Sequence, residues 1–545
     1  MLWVAVVAWG KENPAAQPES ANVQSVALPA SASLQQVIDR VIAHQHFFVA
    51  AMRGFRPLVE TYIQTFRLRR GTMAPAGDRY FLGRLDLNAP TKDRSLLGQA
   101  SLQKSTLSRL PALYRLQFLP LGFAQMALLD DDLERKYYDF SLVRSEYLGE
   151  IRCLVLKVTP KRDTGTGRFQ GQIWVEDQGY NIVRFEGTYT PRPRFDYYVH
   201  FSSWRMNLQP GLWLPAYIYS EELPLRHALD RKLRFKAQTR LWGYEPDQLK
   251  RIQEFTHITV ESPEVADEAE GSSENAPVEG QRQWESEAEE NAIEQLEKVG
   301  LIAPPGPVER SLLTVANRLM VSNVLRIEPP VRIRILLISP LESFTIGHTI
   351  LLSRGLLDAL PDEASLALIL AHEIGHISLG HNLDTKFAFN DRMFFPDEDT
   401  FERLNFRHNP KDEEAAARKA SALIAHSPYD GDLANARLLL RAVRNYAPEM
   451  KSLLRPHLGD SLVNEDSTLA ASSAEGSPPA RSPMETMLPT TGIEVNPWSN
   501  RATFKKSSSP QRKLSEPDDP FELQAFPPEL TRFASEQHPS SAEAR

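Results

Sequence analysis

Five consecutive residues carry the densest chemistry in this 545-residue sequence: His372-Glu373-Ile374-Gly375-His376. Histidines at i and i+4 share one helix face, about one turn apart, where a single ion can bridge both imidazoles. Glu373 is rotated about 100° from His372. That places it to reach a metal-bound water rather than the metal, and to act as the general base, a contribution of roughly 10²–10⁴-fold. One Zn2+ per chain is the expected cofactor, because zinc lowers the pKa of bound water toward about 7. Catalytic zinc takes three protein ligands and keeps one position open, so a third ligand must come from elsewhere.

The elements that must position these groups can be read around them. Leu366 to Ala371 are apolar all round, and Asp362 behind Pro361 is a helix N-cap, so the motif lies on a buried helix over about 362–381. Gly375 lets another segment approach closely. His381 does not extend the motif: the spacing in which a third histidine follows ten residues after the first reaches Asn382. His381 is read as structural, or as a support behind the ligands. A later helix begins near Asp412 and has an apolar face through Ala416, Ala417, Ala420, Leu423 and Ile424. Glu413 aligns with that face by i+3, i+4 and i+7 spacing, and Glu414 lies about 100° away. Glu413 is therefore chosen as third ligand.

Around this site the chain divides into five stretches. Residues 1–30 open with the apolar run Met1–Trp9, signal-like, and continue as a Pro-, Ala- and Ser-rich segment expected to be disordered. Residues 31–255 carry a helical pattern at about 32–52, then period-two strands at 151–159, 172–186, 196–207, 212–221 and 231–243, an antiparallel curved sheet with one or two covering helices. Residues 256–283 form an acidic linker. The run 261–290 holds eleven acidic side chains and one basic one, Arg282, against a whole-chain net charge of -8. The rest is near neutral, which argues against nucleic-acid binding. Residues 284–461 are mostly helical, at 284–299, 307–322, 353–360, 362–381, 411–427 and 431–454, with strands at 331–339 and near 344–352. Residues 462–545 form a Ser- and Pro-rich tail expected to be disordered. Cys153 is the only cysteine, so neither an intramolecular disulfide nor a thiolate metal site is possible. No transmembrane helix is expected beyond a possible N-terminal signal.

The motif and its surroundings resemble the HtpX, Oma-type and CAAX-prenyl-protease zinc endopeptidases, metallopeptidase family 48. The resemblance covers about 331–430: Gly355-Leu-Leu, Leu366-Ala, Leu370-Ala-His-Glu-Ile-Gly-His closing in His381, and then Glu413, Ala416, Ala420, Tyr429 and Asp430 in the register of the family's Glu-x-x-Ala-Asp-x-x-Ala helix. It implies a zincin-type fold, zinc held by His372, His376 and Glu413, catalysis by Glu373, and a substrate peptide pairing with the edge strand near 344–351. Two positions depart. The family's Asp, a partner of a zinc-binding histidine, is Ala417 here, and the Asn-Ala pair of the edge strand is Glu342-Ser343. The strands over about 110–245, notably the Phe169–Gly187 hairpin, are similar to LolA-like outer-membrane lipoprotein-sorting half-barrels, which implies a face that binds acyl chains or an unfolded client.

The expected fold is thus α+β and multidomain: an antiparallel half-barrel with a helix, then a mostly helical metallopeptidase domain with a small sheet. The expected function is hydrolysis of peptide bonds in protein substrates, among them unfolded envelope proteins or lipoproteins, in a periplasmic, secreted or envelope-associated setting. A zinc-binding but weakly active chaperone or assembly factor is the alternative, and a sheet that carries lipid or lipoprotein is a third.

Overall fold

The computed structural model describes residues 33–69, 72–87, 124–129, 133–165, 168–190, 197–209, 211–224, 235–244, 277–381, 406–462, 493–496, 501–504, 521–525, 528 and 530–532. The expected signal-like segment 1–30 and most of the expected linker and tail lie outside these residues. Helix α1 (Leu34–Met52) starts at Ser33, whose hydroxyl accepts the Gln36 N–H while the Gln36 side chain accepts the Ser33 N–H. The pair satisfies two donors that a helix start leaves open.

Nine strands follow: β1 (Leu58–Arg69), β2 (Thr72–Arg84), β3 (Tyr138–Leu148), β4 (Ile151–Pro160), β5 (Arg168–Glu176), β6 (Ile182–Thr190), β7 (Tyr197–Gln209), β8 (Leu212–Pro224) and β9 (Phe235–Trp242). They form one sheet in the order β2-β1-β9-β8-β7-β6-β5-β4-β3, antiparallel throughout. The expected curved-sheet architecture is present. The β5–β6 turn forms because the Glu176 carboxylate accepts the N–H groups of Gln178, Gly179 and Asn181.

Alternation along each strand sends side chains to two different cores. Val59 and Ile63 of β1 pack with Val37, Val41 and Phe48 of α1. Leu58 and Tyr62, one residue out of step, join a core that belongs to the C-terminal half. Farther along that second face, Trp174, Trp204, Trp213 and Tyr217 pack with Leu530 from the tail. The Leu530 carbonyl accepts the Glu150 N–H, and the Gln64 side chain pairs with the backbone of Phe521 and Leu523.

The C-terminal half contains α2 (Pro277–Val299), α3 (Pro307–Ser322), β10 (Arg332–Leu336), β11 (Ser343–Ile346), β12 (Thr349–Ser353), α4 (Arg354–Ala359), α5 (Glu363–Leu379), α6 (Pro410–Ala425), α7 (Ala434–Tyr446) and α8 (Lys451–Leu454). Four details differ from expectation. In the tail expected to be disordered, Ile493–Asn496 pairs antiparallel with Arg501–Phe504, and Phe521 and Leu530 are buried in hydrophobic cores. Helix α2 begins at Pro277, inside the acidic run. The strand expected near 344–352 is two strands reversed at Gly347, which has φ +56. The helix expected over 431–454 breaks into α7 and α8 around Pro448, which has no N–H to continue the ladder. The small sheet runs β10-β12-β11, so β11 is an edge. Among the described residues, no helix is long and apolar enough to cross a membrane.

The two halves are joined by a buried polar knot. Glu60 of β1 and Arg240 of β9 are paired across the sheet, both 2% exposed, and form an ion pair. Glu60 also accepts the Ser339 N–H at 2.6 Å and the Tyr80 hydroxyl at 2.9 Å. Arg240 donates to Ser339 Oγ at 2.8 Å, and Arg354 donates to the same oxygen at 3.2 Å. Removing one member of such a pair leaves a buried charge without its partner. Glu60→Ala is therefore expected to lower stability by about 3–5 kcal/mol in chemical denaturation. Sheet and helical signals should fall together, and a variant that loses only one of the two would contradict the shared core.

Candidate metal centre

Helix α5 is buried on nearly every side, from Ala364 to His376. Asp362 caps it by accepting the Ser365 N–H and hydroxyl, and Gly380 ends it at φ +67. Helix α6 starts at Asn409, whose side chain accepts the N–H groups of Lys411 and Asp412, with Pro410 in the first turn. The two helices touch at Gly375. A Cβ there would lie 2.9 Å from the Ala416 carbonyl oxygen and 3.3 Å from its Cα. The small pair lets the backbones approach, and the first turn of α6 then carries Glu413 to the histidines.

Three side chains converge through four donor atoms. His372 Nε2 lies 3.2 Å from His376 Nε2, Glu413 Oε1 lies 3.0 Å from His376 Nε2, and Glu413 Oε2 lies 3.5 Å from His372 Nε2. A tetrahedral zinc with ligand distances of about 2.0–2.1 Å needs donors roughly 3.3 Å apart, so this set fits the ion. Burial pushes the His376 imidazole down to about 4, which keeps it neutral, the ligating form. Burial alone would raise the Glu413 carboxyl, but the two imidazoles hold it below the usual carboxylate range. Glu414 points away, exposed and paired with Arg418.

Glu373 lies beside this cluster, 2% exposed, and accepts the Ser343 hydroxyl at 2.6 Å. Burial pushes its carboxyl up to about 7, against the opposing pull of His372 and Ser343. A carboxyl in that range gives and takes a proton near neutral pH. Ser343 belongs to the edge strand β11, so that strand also holds the Glu373 carboxylate. Its neighbour Glu342 is fully buried and accepts the N–H groups of His457, Leu458 and Gly459. That grip fixes the loop leading to Asp460.

The surroundings contain groups that the spacing did not single out. Asp460 accepts His408 Nδ1–H at 2.7 Å and the His408 backbone N–H at 2.9 Å. The His408 ring stacks on His376 with centroids 3.9 Å apart. His376, His408, Glu413 and Asp460 each offer a ligating atom within 4.8 Å of the others. His408 precedes the N-cap of α6, and that short distance from Glu413 was the only signal available. His381 sits behind His376, Nδ1 to Nδ1 at 3.1 Å, and its Nε2 is 3.8 Å from Asp412. His372 Nδ1 is buried with no hydrogen-bond partner among the described residues, and Ala417 lines the same cleft.

Gly375→Ala tests the helix contact. Alanine gains about 1 kcal/mol of helix propensity, but overpacking against the Ala416 backbone costs about 1–3 kcal/mol. A net loss of thermal stability is expected, and a net gain would show that α5 and α6 have room to separate.

No curated protein matches the chain. A DUF1329 family protein from Desulfovibrio piger is similar at 12% identity and TM-score 0.22, covering 39% of this chain and 92% of that one. A LolA superfamily protein from Nitrosomonas europaea is similar at 13% identity and TM-score 0.19, covering 40% of this chain and 97% of that one. At such scores neither carries an argument about function. The C-terminal half gives the clearer result: residues 310–392, which contain the whole His372–His376 motif and stop short of Glu413, match peptidase family M48.

Proposed function

We propose that this chain is a zinc-dependent metalloendopeptidase acting on protein substrates, with His372, His376 and Glu413 as zinc ligands and Glu373 as general base. The observation that carries this reading is the convergence of three side chains: the two Nε2 atoms are 3.2 Å apart, and each lies 3.0–3.5 Å from a Glu413 carboxylate oxygen. The family match over 310–392 supports it. When bound, zinc supplies Lewis acidity, acidifying water and polarising a carbonyl. Glu373 holds the proton taken from the attacking water and returns it to the leaving amine. Ser343 keeps the Glu373 carboxylate in place. Edge strand β11 offers backbone groups to an extended substrate.

Digestion of a denatured, casein-like protein with zinc supplied is the direct test. Glu373→Gln should lose at least about 10²-fold in rate at unchanged zinc content. Equal cutting by both proteins would sink the assignment. Chelation should abolish the wild-type activity, and added zinc should restore it.

A second reading, a zinc-binding but weakly active chaperone or assembly factor, rests on the bare His372 Nδ1 beside Ala417. Ligating imidazoles ordinarily donate their other N–H to a partner worth about 10–100-fold in affinity or activity. Ala417→Asp should therefore tighten zinc binding by about that factor in competition with a chromophoric chelator. Unchanged affinity would show that the histidine needs no such partner. Unfolded envelope proteins or lipoproteins as clients, and a periplasmic, secreted or envelope-associated location, belong to the same proposal. Cell fractionation tests the location.

A further inference from the structure

Beneath α1, strand β7 carries a cation with no counter-charge among the described residues. Arg205 is 2% exposed and forms no ion pair with any of them. One face of its guanidinium lies over the Phe48 ring, 3.6 Å from the centroid, and one NH2 donates to Gln45 Oε1 at 3.0 Å. Its Nε–H is buried and meets no acceptor among the described residues. Ser203, two positions earlier on the same face, has a buried hydroxyl that also lacks a partner among them. Burial pushes the guanidinium down to about 9, which still leaves it charged at neutral pH. An aromatic face recovers part of what a cation loses on leaving water. A buried ion is otherwise tolerated only against an opposite charge with its hydrogen bonds made.

The guanidinium borders a cavity between α1 and the β5–β6 and β7–β8 turns, lined also by His44, Gln45, Asn181 and Trp213. Among the described residues, no aspartate or glutamate lines it. It has room for about one water-sized occupant, which excludes an acyl chain and admits a compact group. Unsatisfied donors, a fixed positive charge and a small cavity without acids describe one half of an anion site.

We propose that Arg205 and this cavity bind a compact monovalent anion, either a free halide or the carboxylate group of a larger molecule. The site is independent of the metallopeptidase reading. It lies in the α1-covered core, on the opposite face of the sheet from the C-terminal half.

Thermal unfolding of the full chain tests it, in isethionate buffer at constant ionic strength, with chloride, acetate or decanoate added. Chloride or acetate should raise the wild-type Tm saturably by about 2–4 °C, and Arg205→Met should not respond. A response to acetate and decanoate without one to chloride identifies a carboxylate as the ligand. A response to chloride alone identifies a free ion. Absence of any saturable response in the wild type, or the same response in Arg205→Met, overturns the proposal. If Arg205→Met does not fold, a wild-type crystal soaked in bromide decides instead: an anomalous peak beside the guanidinium supports the site, and its absence overturns it.

Discussion

A carboxylate buried between two imidazoles is the interaction around which the C-terminal half is arranged. Glu413 would be costly at 6% exposure without His372 and His376 to receive it. It can reach them only because α6 starts where it does, fixed by Asn409 and Pro410, and because Gly375 removes the side chain that would hold the helices apart. The walls follow from the same demand. Glu342 grips the 457–459 loop, the loop presents Asp460, Asp460 orients His408, and the His408 ring packs against His376 at a tilt of 32°. Glu373 is held from the other side by Ser343. Each contact restrains a ring or a carboxylate of the cluster.

Much of this could be read in the residues, because helical spacing is local. The i, i+4 histidines, the Asp362 cap and the choice of Glu413 over Glu414 depend only on a period of 3.6. Most strands between 151 and 243 announced themselves by alternation and their succession by short turns, but the pairing of β1 with β9, which brings the first hairpin beside the last strand, was not legible. The contacts that were not legible are those between positions far apart in the chain. Nothing in Glu342-Ser343 says that one residue turns to a loop more than a hundred positions later and the other to the base. His408 and Asp460 sit in unremarkable loop sequence, and their pairing exists only once α6 and the 457–460 segment are side by side. The tail was misleading in a different way: Phe521, Leu523 and Leu530 are scattered among polar residues and prolines, so composition conceals the few that pack.

The sheet shows how one strand pattern can serve two cores at once. A cross-strand row runs Glu60, Arg240, Tyr217, Trp204, Arg184, Trp174. Arg184 lies between two indoles, 4.2 Å from the Trp174 centroid and 4.4 Å from that of Trp204. The row begins at the polar knot with the C-terminal half and ends among the aromatics that receive Leu530. Cations and rings share it, so charges that would be stranded on a buried face have a π-system or a carboxylate beside them. The opposite face is mostly apolar under α1, with Arg205 buried against Phe48 at its margin.

The polar knot at Ser339 also bears on how such a chain can be inherited. Glu60 and Arg240 are encoded far upstream of the serine they enclose, and the acidic stretch lies between them. A recombination break in that stretch, where exchange of modules would otherwise be easiest, would hand a foreign sheet to the helical half. The newcomer would arrive with a buried acid and base that find no matching hydroxyl and amide. A change of charge on either side of this seam would leave a buried group on the other side without its partner.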